Sequence, residues 1–187
     1  GGEFKSSTPQ WTLNSNDTTG STITVKGGRF YQFDPSNTKV ALEGVTEIIV
    51  PESITSIGNS AFSSCSSMTS ANLTNKLVSI GNYAFSGCSS SKLSSVKFPS
   101  SLTTIGTEAF YGCTGLTKIS GLTNVKLIGE YTFRDCSNLQ TVSDASNLET
   151  IEYGGFYNCP KLTSVTGLNK LTKIGAYGFY KCSNLLS

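Results

Sequence analysis

Histidine does not occur in the sequence. That removes the Ser-His-Asp and Cys-His arrangements of nucleophilic catalysis, and the commonest metal ligand with them. Charge is scarce too: charged residues make up 14% of the chain, the formal net charge is +2, and the basic residues are scattered. Such a balance offers no electrostatic footprint for nucleic acid or an acidic surface. No apolar run approaches the roughly 18 residues that read as a membrane span. The sequence opens Gly1-Gly2 in the manner of a trimmed chain, with no signal peptide in the stretch that follows. Tryptophan occurs once, as Trp11, and methionine once, as Met68. Serine and threonine, by contrast, exceed a quarter of all residues, a hydroxyl-rich make-up that suits a protein exported from the cell.

What is present is a repeat. Six cysteines stand at 65, 88, 113, 136, 159 and 182, spaced 23, 25, 23, 23 and 23, and each follows a phenylalanine by three residues: Phe62, Phe85, Phe110, Phe133, Phe156 and Phe179. Eight residues before each cysteine lies an isoleucine (Ile57, Ile80, Ile105, Ile128, Ile151, Ile174), followed by glycine in five of the six copies. Downstream come a large apolar residue (Met68, Leu93, Leu116, Leu139, Leu162, Leu185) and then Ala71, Val96, Ile119, Val142 and Val165. A fixed period of this length marks a solenoid.

One such unit cannot bury its own apolar side chains, whereas stacked units place like residues on like and close a continuous core. Each large side chain so buried contributes about 1.5–3 kcal/mol. The apolar residues after the cysteine, set among β-branched neighbours, predict a short strand per coil, paired with its neighbours into a parallel sheet at a spacing of about 4.8 Å. Glycines 58, 81, 106, 129 and 175 are expected where the coil turns a corner and the backbone needs angles other residues resist. Ile151-Glu152 departs from that pattern, so either that corner is unstrained or the backbone adapts there.

The pattern Ile-Gly-x-x-Ala-Phe-x-x-Cys-x-x-Leu-x-x-Val resembles the BspA-like, or treponemal-type, leucine-rich repeat. The segments from Ile54 to Cys65 and from Leu102 to Cys113 match it closely, and six tandem copies cover about residues 45 to 187. Thr132, Gly155 and Gly178 replace the alanine before Phe with other small residues, and the proline that often follows the strand occurs only at Pro51 and Pro99. The resemblance implies a mainly β leucine-rich-repeat solenoid of right-handed coils of about 23 residues with a parallel sheet on one face. It also implies a surface-exposed or secreted bacterial or protist protein, several of whose relatives are implicated in adhesion.

An even cysteine count in an exported protein commonly signals disulfides. Here equivalent positions in neighbouring coils have parallel Cα–Cβ vectors, while a disulfide needs the two Cβ atoms turned toward each other. The expectation is a ladder of buried free thiols, all six slow to react in the native state. A linear ladder does not converge tetrahedrally either, so zinc is not expected, nor is any other cofactor.

Residues 1–44 depart from the repeat and predict a β-meander cap over the N-terminal end of the solenoid of residues 45–187. Its expected strands are Ser21–Val25, Arg29–Phe33 and Thr38–Leu42, with turns at Gly27-Gly28 and Asp34–Asn37; Trp11 is expected to pack within the cap, and the first dozen residues to be disordered. At the other end the chain stops at Ser187 before its last strand is complete, which predicts self-association through an open edge or cover by further sequence.

Two surfaces are candidates for binding. The position after the core phenylalanine reads Ser63, Ser86, Tyr111, Arg134, Tyr157, Tyr180, an aromatic and guanidinium stripe, and Tyr83, Tyr131 and Tyr177 recur five residues before the cysteine and widen it. The alternative is that tyrosine simply fills a half-exposed corner of the coil. The outward strand positions form a second face, where Lys97, Lys118 and Gln140 stand among hydroxyl residues that ordinary solvent-facing sheet would also carry. Acidic residues (Glu108, Glu130, Asp135, Asp144, Glu149, Glu152) fall at different repeat positions, and Lys126 with Glu149 should form an exposed ion pair worth about 0–1 kcal/mol. The function expected is a non-enzymatic secreted or cell-surface module for adhesion to, or recognition of, a protein or glycan, a host-derived one included. A structural spacer or stalk in a larger surface protein is the alternative, and a hydrolase is disfavoured by the missing histidine and convergent polar cluster.

Overall fold

The computed structural model of the chain describes residues 10–12, 22–26, 46–50, 52 and 54–186. Within them lie short strands only. β1 (Gln10–Thr12), β2 (Thr22–Lys26) and β3 (Glu47–Ile49) lead into β5 (Ser70–Asn72), and the same edge of each later coil carries β7 (Ser95–Lys97), β9 (Lys118–Ser120), β11 (Thr141–Val142) and β13 (Ser164–Val165). β7, β9, β11 and β13 form one parallel sheet in register, Val96 beside Ile119 beside Val142 beside Val165.

A second parallel ladder, which the sequence pattern does not foreshadow, runs through the isoleucine column. β4 (Ser56–Ile57), β6 (Ser79–Ile80) and β8 (Thr104–Ile105) pair in one group, and β10 (Leu127–Ile128), β12 (Thr150–Ile151) and β14 (Lys173–Ile174) in another. Each strand has two residues, too few for a visible alternation of polar and apolar. The pairing still aligns Ile57, Ile80 and Ile105, and all three point into the core.

Between the two ladders the phenylalanines stack. Ring centroids from Phe62 through Phe85, Phe110, Phe133 and Phe156 to Phe179 lie 5.4, 5.1, 5.6, 5.3 and 5.3 Å apart in near-parallel planes. All but Phe179 are buried, as are Cys65 to Cys159 and the apolar columns beside them except at the ends, where Ala71, Val165 and Leu185 are partly buried and Ile174 is exposed. The six cysteines are free. Their thiols add a feature beyond packing: Cys88, Cys113, Cys136, Cys159 and Cys182 each donate to the carbonyl of the phenylalanine one coil earlier, at 3.0–3.3 Å. The carbonyls of Phe62, Phe85 and Phe110, each already bonded by the cysteine N–H of its own coil, thus gain a second partner.

Burial pushes the Cys113 thiol up, and pushes Cys136 up to about 12. At pH 8 a group with that pKa is thiolate in only about one molecule in ten thousand. Cys182 departs from the uniform ladder expected: it is half-buried, and the neighbouring Cys159 thiol favours its thiolate and lowers its pKa. Native labelling with a thiol reagent should therefore modify Cys182 first and the other five only on unfolding. Peptide mapping that found Cys113 or Cys136 modified as fast as Cys182 would contradict the ladder.

The glycines after the isoleucines have another role than the one expected. None of Gly58, Gly81, Gly106, Gly129 and Gly175 has positive φ. A Cβ on Gly81 would stand 2.7 Å from the Asn59 nitrogen, and one on Gly175 2.8 Å from the Glu152 carbonyl carbon, so these glycines admit the preceding coil at close approach. Around Gly58 there is open space, and Gly129 meets only ordinary contacts, so the position does not demand glycine in every coil, and Glu152 stands there in the fifth. The left-handed residues lie elsewhere, at two positions in every coil and at a third, Gly121, Asp144 and Gly167, after the strand in three of them. Five residues before the cysteine these are Ser60, Tyr83, Glu108, Tyr131, Gly154 and Tyr177; one residue before it, Ser64, Gly87, Gly112, Asp135, Asn158 and Lys181.

At the N-terminal end β2 pairs antiparallel with both β1 and β3, and β3 pairs parallel with β5, so the cap strands share a sheet with the first coil's strand, separate from the sheet of β7, β9, β11 and β13. Gln10–Thr12 is strand, contrary to the expected disorder, because β2 supplies it with a ladder. The expected strands Arg29–Phe33 and Thr38–Leu42, both turns and the packing of the Trp11 side chain lie outside the described residues.

Candidate functional site

On the strand face, one row of threonines is committed to the stack. Thr69 Oγ1 donates to the Thr46 carbonyl at 2.9 Å, Thr117 to Ser94 at 2.9 Å and Thr163 to Gln140 at 3.0 Å, each one coil back. Lys97, Lys118 and Gln140 are exposed but occupy three different rows: Lys118 lies opposite Ser95 and Thr141, Lys97 lies opposite Ser120, and Gln140 precedes β11. The structure does not bring the three together. Between β5 and β7 there is no strand pairing, and an open groove of about 370 Å³ lined by Thr69, Ser70, Asn72, Ser94, Ser95 and Lys97 takes its place.

The tyrosines do come together. Arg134 is the hub, its guanidinium carbon 5.4, 4.9 and 5.2 Å from the ring centres of Tyr111, Tyr131 and Tyr157. Its Nε donates to Asp135 Oδ2 at 3.2 Å, and Asn158 Nδ2 donates to Asp135 Oδ1 at 2.7 Å. The guanidinium is thereby fixed in direction and its charge matched locally. Beyond it the rings continue edge to face: Tyr131 to Tyr153 at 5.3 Å and 84°, Tyr153 to Tyr177 at 5.4 Å and 77°, Tyr177 to Tyr180 at 5.3 Å and 84°. Tyr157 and Tyr180 close the group at 5.1 Å. Contacts of this kind contribute about 0.5–1.5 kcal/mol each between rings and about 0.5–1 kcal/mol for an exposed cation over a ring.

Tyr153 belongs to this cluster, yet the repeat alignment passes over it. It stands six residues before its cysteine, one place out of the column of Tyr131 and Tyr177, because Gly154 fills that column in its coil. A Cβ on Gly154 would lie 2.6 Å from Tyr131 Cδ1, so only glycine lets the Tyr131 ring lie down over the next coil. The signal is present in Tyr153-Gly154-Gly155, a tyrosine beside a glycine pair at the same corner. The Tyr131 hydroxyl holds the Tyr153 phenol above the usual range, so Tyr153 remains a protonated donor at neutral pH. Tyr83 is exposed and makes no ring contact with another aromatic among the described residues; Glu108 occupies its column in the coil between.

Tyr83, Tyr131 and Tyr177 have φ of 57°, 52° and 58°. Left-handed geometry costs an L residue about 1–2 kcal/mol, and Ser60, Glu108 and Gly154 show that the coil does not require tyrosine there. Elsewhere the expected Lys126–Glu149 ion pair forms at 3.5 Å between exposed side chains. Among the described residues no group of three or more His, Cys, Asp or Glu is placed to hold a metal ion, and no helix is long and apolar enough to cross a membrane.

Residues 55–186 match the BspA type leucine rich repeat region in six copies. The chain belongs to that family. Its fold is similar to that of a leucine rich repeat protein of T. pallidum (24% identity, TM-score 0.58, 84% of this chain and 87% of that one). It is similar as well to a leucine-rich repeat protein of Eubacterium ventriosum (24%, TM-score 0.64, 79% and 39%) and to a leucine rich cell surface protein of Faecalibacterium prausnitzii (20%, TM-score 0.63, 100% and 54%). In the last two cases the chain covers well under two thirds of the other protein's length. No curated protein matches it. At these identities the BspA type repeat shares its fold with those proteins, while its partner has to be argued from its own surface.

Proposed function

We propose that this BspA type repeat chain is a secreted or cell-surface recognition module that adheres to a partner protein or glycan, host-derived in the case of a mucosal bacterium, through the tyrosine face. The observation that carries the reading is the gathering of six of the eight tyrosines in the last four coils, three of them around one oriented arginine, and two of them at a left-handed corner of the coil that does not require tyrosine. A bulky residue at a left-handed corner that serine, glutamate or glycine fills in other coils points to a use outside the fold. Tyrosine and arginine are also the side chains that most often anchor interfaces. The strand face is the weaker candidate, since Thr69, Thr117 and Thr163 are engaged in holding coil to coil and Lys97, Lys118 and Gln140 stand in separate rows.

Arrays of glycans and extracellular matrix proteins test this. The substitutions Tyr111→Ser, Arg134→Ser, Tyr157→Ser and Tyr180→Ser introduce the residue type that Ser63 and Ser86 already place at this position in the first coils. Together they should abolish binding of any array ligand while circular dichroism stays native. Each anchor accounts for about 2 kcal/mol or more, so the combined loss exceeds a hundredfold. Binding that survives these changes but falls with Lys97→Ala, Lys118→Ala and Gln140→Ala would move the site to the strand face. Absence of any ligand would favour a spacer. Labelling of intact cells with an antibody to the chain tests the location.

A further inference from the structure

We infer that the tyrosine face accepts a polyproline II segment of a partner protein, laid along the solenoid axis; this rests on the reading of that face as the binding surface. In the column five residues before the cysteine, tyrosine returns at alternate coils, as Tyr83, Tyr131 and Tyr177, with Glu108 and Gly154 between. Strands of successive coils lie about 4.8 Å apart, so alternate coils are about 10 Å apart. A polyproline II helix has three residues per turn and rises about 3.1 Å per residue, hence about 9.3 Å per turn. Every third residue of such a ligand meets the next tyrosine of the column, and over two turns the mismatch stays small beside the width of a ring.

The rings suit this ligand in shape. Tyr153 stands edge-on between Tyr131 and Tyr177, at 84° and 77° to them, so the row alternates ridge and notch at the period of the ligand's turns. Pyrrolidine rings are compact and apolar, and the segment is extended before it binds, which keeps the ordering cost low on both sides. Hydrogen bonding points the same way. Polyproline II has no internal hydrogen bonds and its prolines have no N–H, so it offers carbonyl acceptors only. The face answers with tyrosine hydroxyls and the guanidinium of Arg134, while the carboxylate oxygens of Asp135 are taken up by Asn158 and Arg134. The pairing of Arg134 with Asp135 also matches the charge at the centre of the face.

The test is calorimetric titration of the whole chain with an oligoproline of about twelve residues, a Gly-Ser peptide of the same length, and cellohexaose. Oligoproline should bind saturably and at least about tenfold more tightly than the Gly-Ser peptide. The double variant Tyr131→Gly, Tyr177→Gly should weaken it more than about tenfold while circular dichroism stays native, because glycine suits both left-handed positions. Oligoproline that binds no better than Gly-Ser, or as well to the double variant, overturns the inference. If cellohexaose or an array ligand binds instead and is lost in the double variant, the inference fails and the tyrosine face stands as the site. If the double variant changes no ligand's binding, both fail.

Discussion

Phe133→Ala is expected to lower the free energy of unfolding by about 3–5 kcal/mol in a urea titration, the range for removing a large buried aromatic side chain. Phe133 is fully buried, with the rings of Phe110 and Phe156 stacked at 5.6 and 5.3 Å on its two sides, so the cavity opens in both coil-to-coil interfaces at once. In a solenoid, stability is close to a sum over coils and their nearest-neighbour interfaces, and a central coil belongs to two. Phe179→Ala is the internal comparison. Phe179 is only partly buried and stacks on Phe156 alone among its fellow phenylalanines, so its loss should be markedly smaller. Domains are typically stable by about 5–15 kcal/mol, and if Phe133→Ala leaves too little folded protein to titrate, Phe133→Leu keeps part of the volume and should fall between the two. Equal losses at 133 and 179 would contradict a core held by the phenylalanine ladder.

That ladder, the thiol column and the strand after the cysteine are legible in the sequence because each coil repeats them, and a repeated residue at a fixed phase has one physical meaning throughout the stack. The isoleucine strands are not legible, since two residues carry no periodicity and the following glycine reads as a turn. The glycines mislead for a related reason. Conformational freedom and close approach both call for glycine, and only the neighbouring coil's position, such as Asn59 against Gly81, decides which applies. On the tyrosine face, Tyr111, Arg134, Tyr157 and Tyr180 can be read as a column, with Tyr131 and Tyr177 beside them. Tyr153 cannot, because its inclusion depends on Gly154 letting a ring from the coil before lie across it.

The one irregular spacing has a consequence of the same kind. From Cys88 to Cys113 there are 25 residues where every other interval has 23, and the two extra residues lie in Ser89–Lys92, before Leu93. They pass over the next coil at Gly115, where an added Cβ would collide with the Ser90 carbonyl oxygen. The equivalent positions in other coils carry Ser67, Asn138, Lys161 and Asn184, so glycine at 115 answers to the insertion and not to the coil. The same insertion lies beside the gap where β5 and β7 fail to pair. Gly115→Asn should therefore destabilise the protein by roughly 2–4 kcal/mol, as overpacking against backbone does, although Asn138 is accommodated one coil on. Deleting Ser90 and Ser91 restores the Cys-x-x-Leu spacing and should make the same substitution nearly neutral, with the two changes far from additive in a double-mutant cycle. In the deletion variant the strands at 70–72 and 95–97 are expected to pair, closing the groove and slowing hydrogen exchange at their amides. Additive effects, or unchanged exchange in the deletion variant, would mean that the sheet breaks there for a reason other than the two inserted residues.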